Sequence, residues 1–236
     1  MLPLILCIVF LSLGAVSLVL FIIEKLKGYS LKDTLLKTIT SCFFIAVAIV
    51  SLFSKSYHVL LIFVPIGLFF GLLGDVFLEL KYVYKEKDEL LTYGGFIAFG
   101  IGHIMYMIGM YLEFYHGENI LYVIIPFAVG FLASFINILL EKFMKLEYGK
   151  MKMISLFYGG LLFSMILTAL SLSILMDFKN TTLIMIMIGG VLFALSDVIL
   201  SGTYFGKGRD RPVDLASNCV TYYLGQFLIA FSLFFI

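Results

Sequence analysis

Charge is scarce in this 236-residue chain: Asp, Glu, Lys and Arg make up 13% of it, against 62% hydrophobic residues and a mean hydropathy of +1.12. Such a balance is far from that of a globular protein and leaves no room for a soluble domain. Cysteine is nearly missing too. Cys7, Cys42 and Cys219 stand singly in apolar segments without metal-ligand spacing, so they suggest neither a disulfide framework nor a zinc knuckle. Net charge is only +1, and no Lys/Arg cluster is interleaved with aromatics, which sets nucleic-acid partners aside. There is no G-x-S-x-G elbow and no Ser/His/Asp order, so an acyl-transfer nucleophile has no support. Lysines outnumber arginines 14 to 2, a compositional bias that implies no function.

What the chain has is apolar runs of membrane-crossing length. At about 20 residues per helical crossing, they read as eight spans near 2-23, 37-54, 58-80, 92-112, 119-140, 153-176, 181-204 and 214-236. The fold class expected is an all-α polytopic membrane protein whose single transmembrane domain is residues 1-236. The first run has no basic residue ahead of it and outruns a signal-peptide core, so it is taken as a span. Lys and Arg in the seven connections number 4, 1, 3, 0, 4, 1 and 3 in chain order. By the positive-inside rule the odd connections are cytoplasmic and both termini lie on the other side.

Two aspartates fall well inside these spans. Asp75 is six residues before Lys81 and Asp197 ten before Lys207, roughly 9 and 15 Å inward from the cytoplasmic edge. Each costs about 2.5 to 3.5 kcal/mol at a bilayer centre, and such residues usually mark functional sites. The competing reading is a carboxylate hydrogen-bonded between helices as a packing device.

Aligning GLLGDVFLEL (71–80) with FALSDVILSG (193–202) matches Leu73, Asp75, Val76 and Leu78 with Leu195, Asp197, Val198 and Leu200 at an offset of 122. One span later Gly102-His103 matches Gly225-Gln226 at 123. An offset of four spans predicts two parallel four-helix repeats about an axis along the membrane normal, with the two acids across one cavity. Gly67, Gly71 and Gly74 allow a neighbouring helix to approach Asp75, a use that equally serves packing. On the eighth span Asp214, Asn218, Tyr222 and Gln226 recur every four residues along one polar stripe. His103 and Tyr106 share a face of the fourth, so His103 can hydrogen-bond a carboxylate there, although a lone histidine is often a satisfied interior residue. His58 and His116 lie near the opposite ends of their spans. A metal would have only Asp75, Asp197 and His103 to hold it, and metal-free acid chemistry is preferred; no cofactor is expected.

The ordered set LLGDVFLEL, GIGHIMYMIGM, ALSDVIL and YYLGQFLIA, on spans 3, 4, 7 and 8, resembles the YhhN-type lysoplasmalogenase family over essentially the whole chain. Members tend to carry Lys-Pro entering the second span; here Lys37-Thr38 keeps the lysine and lacks the proline. The resemblance implies hydrolysis of the vinyl ether bond of a lysoplasmalogen, a single-chain ether phospholipid, to a fatty aldehyde and a glycerophospho-ethanolamine or -choline. Two carboxylates in one low-dielectric chamber repel when both are charged, so one should hold a proton near neutrality. Asp75 and Asp197 are assigned jointly as donor and base. His103 is expected to orient an acid or shuttle its proton. Tyr106, Asn218, Tyr222 and Gln226 would hold water or substrate hydroxyls, and Lys37 would receive the phosphate or merely set topology. The alternative is a proton-coupled transporter using the Asp/His groups as a relay. Against it, Pro65 and Pro126 are not repeat-equivalent, so paired broken helices are lacking. A non-catalytic lipid-binding or assembly protein would tolerate loss of either acid.

Overall fold

The computed structural model describes residues 2–53, 56–206 and 211–236. Lipid offers no hydrogen bonds, so a crossing segment must satisfy its backbone internally, and a helix does this residue by residue. Among the described residues eight α-helices form: α1 (Leu2–Lys25), α2 (Leu31–Leu52), α3 (Leu60–Val83), α4 (Asp88–Phe114), α5 (Leu121–Leu139), α6 (Lys152–Leu175), α7 (Thr181–Phe205) and α8 (Pro212–Ser232). All eight are long and apolar enough to cross a membrane, which makes this a multi-pass membrane protein. Lys207, from which the depth of Asp197 was reckoned, lies outside the described residues.

The largest departure from the expected spans is at α2, which starts at Leu31 rather than near 37. Ser30 and Asp33 form a capping box: the Asp33 amide donates to the Ser30 hydroxyl, and the Asp33 carboxylate accepts from the Ser30 amide. These reciprocal bonds satisfy donors that a helix start otherwise leaves open. Lys37 is thereby carried nearly two turns into the helix, instead of flanking it.

The helices pack in sequence-adjacent pairs, α1 on α2, α3 on α4, α5 on α6 and α7 on α8, with α4 against α6 and α2 against α8 joining the halves. Burial of the spans rises from 22% through 39% and 44% to 61% over α1 to α4, and runs 22%, 39%, 33% and 50% over α5 to α8. Thus α1 and α5 are peripheral, and α4 and α8 central. Where α3 crosses α4, Gly67 sits on the backbone carbonyl of Gly102; where α7 crosses α8, Gly189 sits on that of Gly225. A Cβ at any of these four positions would meet the partner's backbone, so only glycine permits the crossings. The two crossings carry the same offsets, 122 and 123, as the matched acids and their following polar pair. The remaining apolar side chains of α1, such as Leu2, Ile8 and Val16, point outward, as expected of helices bathed in lipid.

Candidate active site

α3 presents Asp75 and, one turn on, Glu79 along one face. Each is 1% exposed. Ions so deeply buried require partners, and α1, α2 and α8 supply them. Asp75 Oδ2 accepts hydrogen bonds from the Ser41 hydroxyl at 2.6 Å and the Tyr222 hydroxyl at 2.7 Å, while Oδ1 faces Lys37 Nζ at 3.4 Å. The same ammonium lies 3.2 Å from Glu79 Oε2, and Lys25 Nζ donates to Glu79 Oε1 at 2.5 Å. Two ammoniums and two carboxylates therefore alternate as Lys25, Glu79, Lys37, Asp75. The order follows from helix periodicity: Lys37 and Ser41 on α2 are also one turn apart and meet the Asp75/Glu79 face side by side.

A second line of contacts backs Asp75 from behind. Tyr106 on α4 donates to Gln226 Oε1 at 3.3 Å, Gln226 Nε2 donates to the Tyr222 oxygen at 3.2 Å, and Tyr222 donates to Asp75. Each group spends its donor toward the carboxylate, which fixes the rotamer of Asp75. Tyr223 adds a bond to the Lys37 backbone carbonyl at 3.1 Å, anchoring α8 to α2.

Asp197 on α7 stands in a different setting. Its Oδ2 accepts from the Tyr158 hydroxyl of α6 at 2.5 Å, and no cation lies within ion-pair distance among the described residues. Phe96 stacks on the Tyr158 ring at 5.2 Å between centroids, holding the phenol in line. Tyr158 follows Lys37 by 121 residues, and from α6 it contacts Asp197 as Lys37 from α2 contacts Asp75. One acid has been given a cation and the other a phenol.

Asp75 and Asp197 both line a single partly open cavity of about 850 Å³, the space at its mouth included. Lys25, Lys37, Asn218 and Tyr222 add polar wall, and Phe96, Phe99 and Phe193 add aromatic wall. Asn218 also donates to the Ser196 carbonyl at 2.8 Å, which ties α8 to α7 beside Asp197. A second, more apolar cavity of about 600 Å³, bordered by Gly159, Phe163, Ala194 and Val198, lies beyond the wall formed by Tyr158 and Asp197. The first cavity thus offers two carboxyl groups with different partners, hydroxyl and amide donors, and apolar surface. Such a site can hold an amphiphile and move protons on it.

Several expected residues are placed otherwise. His103 is 1% exposed, but neither ring nitrogen has a hydrogen-bond partner among the described residues. It sits in an aromatic box, with Phe193 at 5.1 Å and Tyr158 at 5.7 Å between ring centroids, so the expected bond to a carboxylate is not made. It approaches Asp197 only through the Tyr158 ring. Lys37 lies inside the bundle rather than at its edge: the early start of α2 leaves it half-buried on the cavity wall, with its charge shared by two carboxylates. Tyr106 and Gln226 support Tyr222 rather than face the cavity. Glu79 and Tyr158 were not anticipated. Glu79 was legible in principle, as a second acid one helical turn beyond Asp75. Tyr158 had no signal except its register with Lys37.

An eight-helix bundle with one buried and one half-buried carboxyl group on a single aromatic-walled chamber is a polytopic membrane protein with an intramembrane polar site. The chain belongs to the YhhN family, whose family model matches residues 33–233, and membership is consistent with a hydrolase. No curated protein and no solved structure matches it.

Proposed function

We propose that this protein hydrolyses the vinyl ether bond of a lysoplasmalogen, releasing a fatty aldehyde and a glycerophospho-ethanolamine or -choline. The observation that carries this reading is the unequal environment of two acids on one cavity: Asp75 is paired with Lys37, whereas Asp197 accepts from a phenol and has no cation within ion-pair distance among the described residues. On this reading Asp197, which has no cation within ion-pair distance among the described residues, serves as the proton donor, and Asp75, which meets an ammonium and two hydroxyl donors, serves as the anion.

Asp197 then delivers its proton to the enol carbon of the alkenyl chain, forming an oxocarbenium ion at the carbon bonded to the ether oxygen. The Asp75 carboxylate stabilises that cation and accepts a proton from the water that adds to it. The resulting hemiacetal collapses: its hydroxyl gives a proton to the Asp197 carboxylate, the carbon–oxygen bond to glycerol breaks, and the glycerol oxygen takes the proton held by Asp75. The balance is one water consumed, with both carboxyl groups restored. Tyr158 orients the donor, while Ser41 and Tyr222 hold the acceptor. Asn218 has its remaining hydrogen-bonding capacity available for water or a glycerol hydroxyl.

Because protonation of a carbon–carbon double bond starts the reaction, purified protein in detergent is expected to release aldehyde from a 1-alkenyl lysophospholipid and none from the saturated 1-alkyl analogue. Aldehyde from both, or proton-dependent solute flux in vesicles with aldehyde from neither, would remove this reading.

On the same proposal the cavity mouth, flanked by the lysine-bearing ends of α1 and α3, faces the cytoplasm, and both termini lie outside. Alkaline phosphatase fused to the C-terminus is expected to be active in a bacterial host. Fluorescence from a C-terminal green fluorescent protein in place of that activity would reverse the orientation.

A further inference from the structure

The substrate proposed above carries an anion, and the lysines of the chamber are already committed. Lys25 and Lys37 are neutralised by Glu79 and Asp75. Outside them, a surface groove of about 840 Å³ runs over the end of α3 and α7 and includes Lys81, Lys85 and Asp88. It shares Tyr29, Tyr82, Thr203 and Tyr204 with the inner cavity, so these side chains border both spaces. The groove is a vestibule.

We propose that this vestibule is an anion site whose Lys81, assisted by Lys85, receives the phosphodiester head group of a single-chain amphiphile; this rests on the ether-phospholipid reading. Lys81 is held in place by rings, not by a counter-charge: its Nζ lies 3.4 Å from the centroid of Tyr204 and 5.2 Å from that of Tyr82. Ring faces position an ammonium without cancelling its charge. Its sole ion-pair partner among the described residues is Asp88 at 3.7 Å, a side chain 62% exposed and therefore screened by water. Lys85 is exposed and has no ion pair among the described residues. Two cations against one loosely held carboxylate leave the groove positive.

The same tyrosines argue against recognition of an ammonium. Tyr29 and Tyr82 stack at 3.9 Å, and Tyr82 meets Tyr204 edge-on, which resembles a cage for a quaternary amine. Its faces are taken: Lys25 Nζ lies 5.3 Å from the Tyr29 ring and 5.4 Å from the Tyr82 ring, and Lys81 covers Tyr204. A cationic head would meet two lysines there, whereas a phosphate would meet its complement, with the amine left toward water. Spacing fits as well. Lys81 follows Asp75 by six residues on α3, a rise of roughly 9 Å, which a glycerophosphate and a lysine side chain can span with the ether bond at the acids.

The test uses full-length protein in detergent and two uncleavable ligands with the same saturated ether chain, a 1-alkyl lysophospholipid and a 1-alkylglycerol. Wild type is expected to bind the phospholipid at least tenfold more tightly. Lys81→Gln is expected to shrink that gap by about tenfold to a hundredfold, the usual worth of a charged hydrogen bond. Lys85→Gln should shrink it less, and Lys81→Arg should keep it, which also guards against misfolding of the glutamine variant. Equal affinity for the two ligands in wild type, or an equal loss for both in Lys81→Gln, overturns the proposal. Inorganic phosphate forms a separate arm: if it raises the melting temperature through Lys81 while the two ligands bind alike, the site holds a free anion and the head-group assignment is wrong. No catalysis is needed for these readings. Absence of aldehyde with the affinity gap intact would remove the hydrolase and leave the head-group site; aldehyde with no gap would do the reverse.

Discussion

Asp197→Asn is expected to lower aldehyde release at least about a thousandfold, near the upper range of what one acid or base contributes, equivalent to about 4 kcal/mol of barrier. Asp75→Asn should fall by a similar factor for a different cause. Asparagine keeps the shape at both positions, but at 197 it has no acidic proton to give a carbon. At 75 it carries no charge to meet the oxocarbenium ion beside Lys37. The roles separate with truncated side chains. In Asp197→Ala, a small carboxylic acid should restore activity through its protonated form, with rescue growing as pH falls below the acid's own pKa. In Asp75→Ala, rescue should follow the anion and grow as pH rises. If both variants are rescued by the same form, the division of labour drawn from the ion pairs is wrong; if neither asparagine variant loses activity, the chemistry does not occur at this pair.

Glu79→Gln is expected to destabilise the protein by about 3–5 kcal/mol, the cost of leaving one partner of a buried ion pair uncompensated. The stranded group is Lys25, whose side chain is 10% exposed and whose bond to Glu79 is the shortest in the alternating row. Adding Lys25→Gln should recover most of the loss, since a neutral amide pair can stay hydrogen-bonded where a lone ammonium cannot. The double-mutant cycle, read by thermal melting in one detergent, isolates the coupling between the two. A single variant that melts with wild type would mean that the row is well hydrated, and Lys37 would then be free for other anions. Because Lys37 bridges Glu79 and Asp75, the single variant also hands that ammonium wholly to Asp75.

Much of the architecture was legible from residue order. Apolar length fixed eight crossings, because lipid tolerates no unpaired backbone and a helix is the local solution. The positions of Asp75 and Asp197 stood out for the same reason, being costly wherever they fall in a span. The Gly67–Gly102 and Gly189–Gly225 crossings fall at the offsets that the motif alignment had marked. Boundaries were less legible: the basic residue Lys37 looked like a flank, while the signal that mattered, Ser30 with Asp33, is a local hydrogen-bond pattern that hydropathy does not weigh.

By itself, then, the sequence determined a membrane bundle of eight helices with two expensive acids and a polar stripe on the last helix, since each of these depends on composition and on spacing within one helix. Only the tertiary structure decided which groups those acids meet. Lys37 and Ser41 reach Asp75 from α2, Tyr222 reaches it from α8, and Tyr158 reaches Asp197 from α6. Those partners are 34 to 147 residues away in the chain, and nothing in a helix's own periodicity says which neighbour it will face. His103 shows the point in reverse: its spacing beside Tyr106 suggested a carboxylate, yet packing turned the ring into a pocket of aromatics. The difference between an acid beside an ammonium and one beside a phenol is a property of how helices meet.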